Sequence, residues 1–219
     1  MGLPLDTWAV ASDVQLRALL KRSGLIAANA LVVDEFSLSA DTVRADMVAA
    51  GEELVAYEIK AGADRLKRLP RQIVGYGKVF ARVNIVTVPA HLDAVLALVP
   101  SWWGVMLPTG RRMDLQLHQV RAAGLNPDRS AHALCSLLCR DELAAKLQER
   151  GPTRGLSGWS KEAMVNAVVK LLAVEDADAY LRVCLKARDR LFKRSEPRAH
   201  SIDWNRLRQN FGIAPRPSI

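Results

Sequence analysis

The spacing of hydrophobic positions changes from helical to strand-like within the first 60 residues of the chain. Between residues 11 and 22, apolar residues recur at helical spacing, and Ser12 or Asp13 is a suitable N-terminal cap. Three short runs rich in strand-forming residues follow, over 30–36, 43–50 and 53–60. The pattern therefore predicts one helix and then three strands.

The middle of the chain alternates between helical and strand-like patterns. Helical spacing returns over 64–80, where Pro70 marks a helix start or a kink. A near-continuous apolar run over 83–88 predicts a buried strand, Pro89 opens another helix, and 102–107 predicts a further strand. This order predicts an α/β domain in which a small mixed sheet is covered by helices on both faces.

Beyond residue 125 the pattern is helical. Helices are predicted over 133–150, 159–172 and 176–192. We therefore divide the chain into an α/β domain over 1–125, a helical region over 126–195 and a basic, proline-containing tail over 196–219. The helical region faintly resembles a SAP-type DNA-binding module, and a plain helical cap explains the same apolar spacing. Under either interpretation a DNA path would involve Arg150, Arg154 and Lys161.

Composition and charge favour a folded protein with a polyanionic partner. Half of the 219 residues are hydrophobic and a quarter are charged, and Lys plus Arg exceed Asp plus Glu by 31 − 23 = 8. No leader-like start and no apolar run of about 18 residues is found, so we expect a cytoplasmic protein that does not enter membranes. Cys135, Cys139 and Cys184 form no CxxC pair, which predicts reduced thiols and no zinc site.

The segment VRADMVAAGEELVAYEIK contains the residues of chemical interest. Alternate residues of a strand share a face, so Glu58 and Lys60 point the same way while Ile59 points into packing. A hairpin centred on Glu52 would place Asp46 opposite Glu58, and two carboxylates so close favour a hard cation such as Mg²⁺ or Mn²⁺ between them. Lys60 would then orient water and offset charge on an attacked phosphate.

An isolated ExK tripeptide is usually an ordinary surface ion pair on a half-exposed strand. Its neighbours change that interpretation here. Asp46 lies at hairpin spacing before Glu58, and Gln72 and Tyr76 follow at i, i+4 on the next predicted helix, which puts both polar groups on one face.

The order Asp46, Glu58-x-Lys60 and Gln72-x-x-x-Tyr76 resembles the PD-(D/E)XK nuclease superfamily, in its branch with a QxxxY motif. The longer string EIKAGADRLKRLPRQIVGYGKVF resembles small bacterial and phage members of that superfamily. The resemblance covers residues 30–107 and implies a restriction-endonuclease-like core. Asp46, Glu58 and the carbonyl of Ile59 would bind the metal ion.

The same resemblance implies further roles. Lys60 would activate water, and Gln72 and Tyr76 would support the site and contact DNA. Glu35 matches an upstream glutamate of many members, with Asp34 as the competing choice, while Arg44 would contact a phosphate or pair with a carboxylate. Ala45 replaces the proline of the superfamily name, and Pro70 suggests that the QxxxY helix begins late.

We therefore expect a Mg²⁺-dependent nuclease that acts on DNA in preference to RNA, in a repair, phage or defence setting. The main alternative is a catalytically inactive protein of the same fold that binds nucleic acid or a protein partner. A purely structural interaction protein ranks last, because it leaves the two motifs as coincidences. A duplex cutter would also need a homodimer or two binding events, since one site cuts one strand.

Overall fold

The computed structural model describes residues 12–38, 43–111, 114–149 and 155–195. The described residues fall into two compact units, the first over 12–129 and the second from Ser130 onward. The tail over 196–219 and the predicted DNA-path residues Arg150 and Arg154 lie outside the described residues.

In the first unit, the described residues form a mixed sheet whose six strands are ordered as they occur in the chain. The strands are β1 (Leu31–Ser37), β2 (Arg44–Ala50), β3 (Leu54–Lys60), β4 (Arg82–Thr87), β5 (Gly104–Arg111) and β6 (Asp114–Arg121). The pairs β1–β2, β2–β3 and β5–β6 are antiparallel, whereas β3, β4 and β5 run parallel. Parallel neighbours need a crossover, and the crossovers contain helices α2 (Leu69–Gly77) and α3 (Leu92–Leu98). The expected α/β class with a mixed sheet and flanking helices is confirmed.

The N-terminal helix α1 (Asp13–Arg22) covers one face of the sheet. Ser12 caps it in a reciprocal capping box with Gln15, as one of the two predicted caps. Leu16 and Leu20 then pack into a core with alternate residues of β2 and β3, including Met47 and Ile59. Burial of these side chains contributes about 1.5–3 kcal/mol each, which fixes α1 on the sheet.

Helix α2 contributes to a second buried layer, formed by aromatic rings. Tyr76 lies between Trp103, stacked at a centroid distance of 5.7 Å, and Phe80, whose edge approaches at 5.4 Å. The helix also approaches the start of β2 closely, since a Cβ on Gly75 would lie 2.9 Å from Val43 Cγ1. Only glycine allows this approach without displacing a neighbour.

Three features of this unit differ from the sequence-based expectation. The predicted 64–80 helix is a 3-10 turn followed by the shorter α2, with Pro70 in its first turn as a start. The strand predicted over 102–107 begins at Gly104, because Trp103 precedes it in a turn. Strand β6 was not predicted: Leu115 and Leu117 alternate with the exposed Gln116 and His118, but Gln119 and Val120 are both exposed and end the alternation after four residues.

The described part of the second unit is helical, as expected. Its helices are α4 (Ala131–Ser136), α5 (Arg140–Gln148), α6 (Lys161–Val169) and α7 (Val174–Ser195). The prediction of one helix over 133–150 is wrong, because Cys139 adopts an extended conformation and caps α5 in a capping box with Glu142. All three cysteines are free, with Cys135 and Cys184 buried. None of the helices in the described residues has the length and apolar character needed to cross a bilayer.

A partly buried ion pair links α5 to α7 in this unit. Arg188 donates through Nε to Glu142 Oε1 at 2.7 Å and through Nη2 to Oε2. Burial raises the pKa of Glu142, but the hydrogen bonds and charge of Arg188 outweigh it and leave that pKa below its usual value. The pair therefore stabilises the unit as long as both partners are charged.

Candidate functional site

The β2–β3 hairpin sets the position of the two candidate carboxylates. Met47 pairs with Tyr57 and Val48 with Ala56, so the hairpin is centred on Glu52 as the sequence predicted. Asp46 precedes Met47 in β2. At this position a side chain replaces the backbone as hydrogen-bond partner of β3, since Asp46 Oδ2 accepts the N–H of Ile59 at 2.7 Å. The N–H and C=O of one strand residue point toward the same neighbouring strand, so the Ile59 carbonyl lies on the Asp46 side of β3.

Glu58 is the centre of a buried polar cluster. Its residue is 1% exposed, and three side chains donate to its carboxylate. Lys60 Nζ and Gln72 Nε2 approach Oε1 at 2.5 and 2.6 Å, and the Tyr76 hydroxyl approaches Oε2 at 2.5 Å. The structure thus brings together four of the predicted site residues, from β3 and α2.

Lys60 is nearly as buried as its partner, with 7% of the residue exposed. Moving a charged group out of water costs several kcal/mol, so a Glu–Lys pair at this depth differs from a solvated surface pair. Glu58, Ile59 and Lys60 end β3, at the carboxyl end of three parallel strands. Ligand sites of open α/β sheets lie at this end of the strands.

Tyr76 is held as a donor by its surroundings. The ring is fully buried between Trp103 and Phe80, and its hydroxyl also lies 2.9 Å from the carbonyl oxygen of Arg44. Burial raises the pKa of Tyr76 far above its ordinary value, and the negative charge of Glu58 raises it further. The hydroxyl therefore stays protonated and fixes the orientation of the Glu58 carboxylate.

Asp46 has fewer hydrogen-bond donors on its carboxylate than Glu58 has. Burial and the nearby charge of Glu58 raise its pKa to about 7, although the Ile59 N–H and the charge of Lys60 act in the opposite direction. Without a further cation, the site contains more negative charge than its neighbours compensate near neutral pH.

Sequence reasoning did not find Arg17, which reaches the same region from α1. Its Nη1 donates to the carbonyl oxygen of Asp46 at 2.5 Å, and its side chain forms ion pairs with Asp34 at 3.2 Å and Glu35 at 3.0 Å. The sequence contains only a local signal for it, the i, i+4 spacing from Asp13. Nothing in the local pattern of α1 connects Arg17 to a residue 29 positions later.

Glu35 lies opposite Asp46 in the β1–β2 register but points to arginines. Its neighbours pair in register, Asp34 with Met47 and Phe36 with Ala45. The Glu35 carboxylate contacts Arg17 and, at 2.7 Å, Arg44 Nε. A left-handed φ of 57° is uncommon outside glycine and costs about 1–2 kcal/mol, so the surrounding contacts must hold Glu35 in place.

The two other candidates near β1 make ion pairs of their own. Asp34, the alternative to Glu35, lies 2.6 Å from Lys21 Nζ as well as near Arg17. Arg44 pairs with a carboxylate, which was one of the two roles considered for it. Among the described residues, no three His, Cys, Asp or Glu side chains converge in a way that could hold a metal ion.

The fold and this cluster together define an α/β protein with a buried Glu–Lys pair, clamped by Gln and Tyr at the carboxyl end of a parallel strand. Comparison with protein families places the chain more narrowly. The family described as bacteriophage P4 protein cII matches residues 14–209, nearly the whole chain. The protein belongs to the bacteriophage P4 protein cII family. Neither curated proteins nor solved structures gave a match.

Proposed function

We propose that this protein is a metal-dependent nuclease that hydrolyses phosphodiester bonds of DNA, with a restriction-endonuclease-like core of the PD-(D/E)XK kind. The observation that carries the proposal is the convergence of Asp46, Glu58 and Lys60 at the end of β3, with Glu58 and Lys60 buried. A nuclease uses this set to neutralise a phosphate and to deliver water to it. The family name adds support for a phage setting.

The residues present fit a Mg²⁺ or Mn²⁺ ion. Mg²⁺ is commonly bound through one or two carboxylates and completed by water, so two acidic side chains and the Ile59 carbonyl are sufficient. Three donors occupy three of the roughly four acceptor positions on Glu58, which leaves one at Oε2. Gln72 Oε1 is buried without a hydrogen-bond partner among the described residues, and it can accept from a water molecule on the cation.

Each protein group then has a definable task. When bound, the cation would supply a Lewis acid and lower the pKa of an attacking water. An ammonium group has three donors, of which Lys60 uses one on Glu58, so two can orient the water and a phosphate oxygen. Gln72 and Tyr76 hold the carboxylate of Glu58 in position, and Arg17 fixes the backbone at Asp46.

The same cluster also supports a second candidate, a catalytically inactive protein that binds nucleic acid or a protein partner. Every donor on Glu58 comes from the chain itself, and the described residues offer no third acidic ligand. A buried polar network of this kind also rigidifies a core without any metal. The two candidates differ in whether a divalent cation binds between Asp46 and Glu58.

The test combines cleavage with a direct measurement of metal binding. Labelled single- and double-stranded DNA is incubated with Mg²⁺ or Mn²⁺ and the wild type, Asp46→Asn or Lys60→Ala, and Mn²⁺ binding is followed by electron paramagnetic resonance. We expect each variant to lose on the order of a hundredfold or more in cleavage rate, as for other preorganised electrostatic groups. Asp46→Asn also loses Mn²⁺ affinity.

Asp64→Asn is the matched control for Asp46→Asn. Asp64 Oδ2 also accepts a backbone N–H, that of Ala61, at the same 2.7 Å, but it is not part of the Glu58 cluster. The control should cut and bind Mn²⁺ like the wild type. DNA binding without cleavage and without Mn²⁺ binding would instead support the inactive protein.

A further inference from the structure

The segment over 61–71 connects β3 to α2 and includes the first turn of α2, and it directly follows Lys60 at the carboxyl end of the parallel strands. It contains four basic side chains within seven residues, all exposed: Arg65, Lys67, Arg68 and Arg71. Within the part of the chain that the structure describes, none of these four side chains has an ion-pair or hydrogen-bond partner. Exposed cations without partners repel one another, so this arrangement favours an anionic ligand.

The charge around the site is distributed unevenly. Residues 65–78 contain five basic residues and no acidic one. On the α1 side, by contrast, three of the four basic side chains are compensated, since Arg17, Lys21 and Arg44 all pair with carboxylates of Asp34 or Glu35. A polyanion that reaches the cluster would therefore be attracted along the α2 side and not along the α1 side.

The chain also connects the basic segment directly to the buried carboxylate. Arg71 precedes Gln72, whose amide nitrogen donates to Glu58. Arg71 is adjacent to Gln72 and Arg68 lies one helical turn before it, so a phosphate held by either would lie beside the helix turn that contacts the cluster. The alternative is that the four basic residues are ordinary surface charges in contact with solvent. This alternative explains their exposure but not their position beside Gln72.

We propose that Arg65, Lys67, Arg68 and Arg71 form a binding surface for the phosphate backbone of one nucleic-acid strand, which they guide to Glu58. This inference rests on the proposed nuclease function and names its substrate contact. Three residues of 3-10 turn and three of helix span about 11 Å, at about 2.0 and 1.5 Å per residue. One strand of B-DNA rises about 3.4 Å along the helix axis per phosphate, so a segment of this length runs beside about three phosphates of such a strand.

The test measures the salt dependence of binding, because each phosphate contact releases counterions. A fluorescein-labelled oligodeoxythymidylate and a duplex of mixed sequence are titrated by anisotropy in EDTA, between about 50 and 200 mM salt. The variant carries Arg65→Gln, Lys67→Gln, Arg68→Gln and Arg71→Gln. The matched control carries Arg22→Gln, Lys170→Gln, Lys186→Gln and Arg190→Gln, which lowers the net charge by the same four units. Circular dichroism confirms folding of both.

We expect the plot of log K against log salt for the single strand to be shallower by about two in the variant, at about 0.7 per lost contact, while the control keeps the wild-type slope. Equal slopes in the variant and the wild type would overturn the inference, as would the same loss in the control or no binding by the wild type. Cleavage is scored separately. If the wild type cuts DNA but the variant has the wild-type slope, only the binding surface is refuted. If the variant has the shallower slope but the wild type does not cut DNA, only the nuclease function is refuted.

Discussion

Tyr76→Phe tests whether the hydroxyl on Glu58 holds the site together. The substitution keeps the ring between Trp103 and Phe80, and it removes only the donor that lies 2.5 Å from Glu58 Oε2 and 2.9 Å from the Arg44 carbonyl. A hydrogen bond to a charged group contributes about 1.5–3 kcal/mol. We therefore expect the opening free energy of β2 and β3 to fall by about 2 kcal/mol, which is about 25-fold in an equilibrium constant.

Amide hydrogen exchange, read by mass spectrometry on peptides covering 44–60, measures this opening without requiring the two units to unfold together. Tyr57→Phe is the matched control. Tyr57 lies on the same hairpin and is 4% exposed, but its hydroxyl has no partner among the described residues. The control should change exchange by less than about threefold. If Tyr76→Phe is no more costly than Tyr57→Phe, the hydroxyl does not support Glu58.

Three further outcomes follow from contacts described above. Gly75→Ala should destabilise the first unit by about 1 kcal/mol. Overpacking against Val43 lowers the free energy of unfolding by about 1–3 kcal/mol, and the higher helix propensity of alanine raises it by about 1 kcal/mol. The raised pKa of Asp46 predicts a stability contribution present below pH 3.8 and lost as the pH rises through about 7, and Asp46→Asn should remove this slope in urea titrations. Arg188→Leu should cost the second unit about 2 kcal/mol, because it removes the hydrogen bonds of a cation from the partly buried Glu142.

Each of these outcomes has a control. Gly77→Ala, where a Cβ would meet nothing within 4 Å, should be neutral or stabilising, and a similar loss at both glycines would exclude the close approach as the cause. A slope that survives in Asp46→Asn assigns the titration to another group. Lys146→Leu removes a more exposed ion pair to Glu149 and should cost less than about 1 kcal/mol, so an equal cost for Arg188→Leu would contradict the argument from burial.

Much of the hairpin that carries the site follows from local rules. A tight turn and the two-residue period of strands fix the register, so the pairing centred on Glu52 could be predicted from the sequence. The i, i+4 spacing likewise places Gln72 and Tyr76 on one helix face, and both reach Glu58. These contacts depend on residues close in sequence or on one regular element.

The parts that escaped prediction depend on long-range packing. Arg17 contacts Asp46 from helix α1, 29 residues earlier in the chain, and Trp103 stacks on Tyr76 from the turn before β5. No periodicity encodes either contact. The apolar spacing also predicted one helix where the structure has two. Cys139 adopts an extended conformation and caps α5 together with Glu142, and this local capping interaction is more favourable than continuing the helix through Cys139.

The strand order has a consequence for how the site is made during synthesis. In the described sheet each strand from β2 to β6 pairs with the strand that precedes it in the chain, so these pairings form in the order of the sequence. Glu58 obtains its last donor when Tyr76 has emerged, and the ring that stacks on Tyr76 follows at Trp103. Contacts of short sequence separation favour rapid, stepwise folding. The polar cluster can therefore close on a growing polypeptide before the residues from Ser130 onward have emerged.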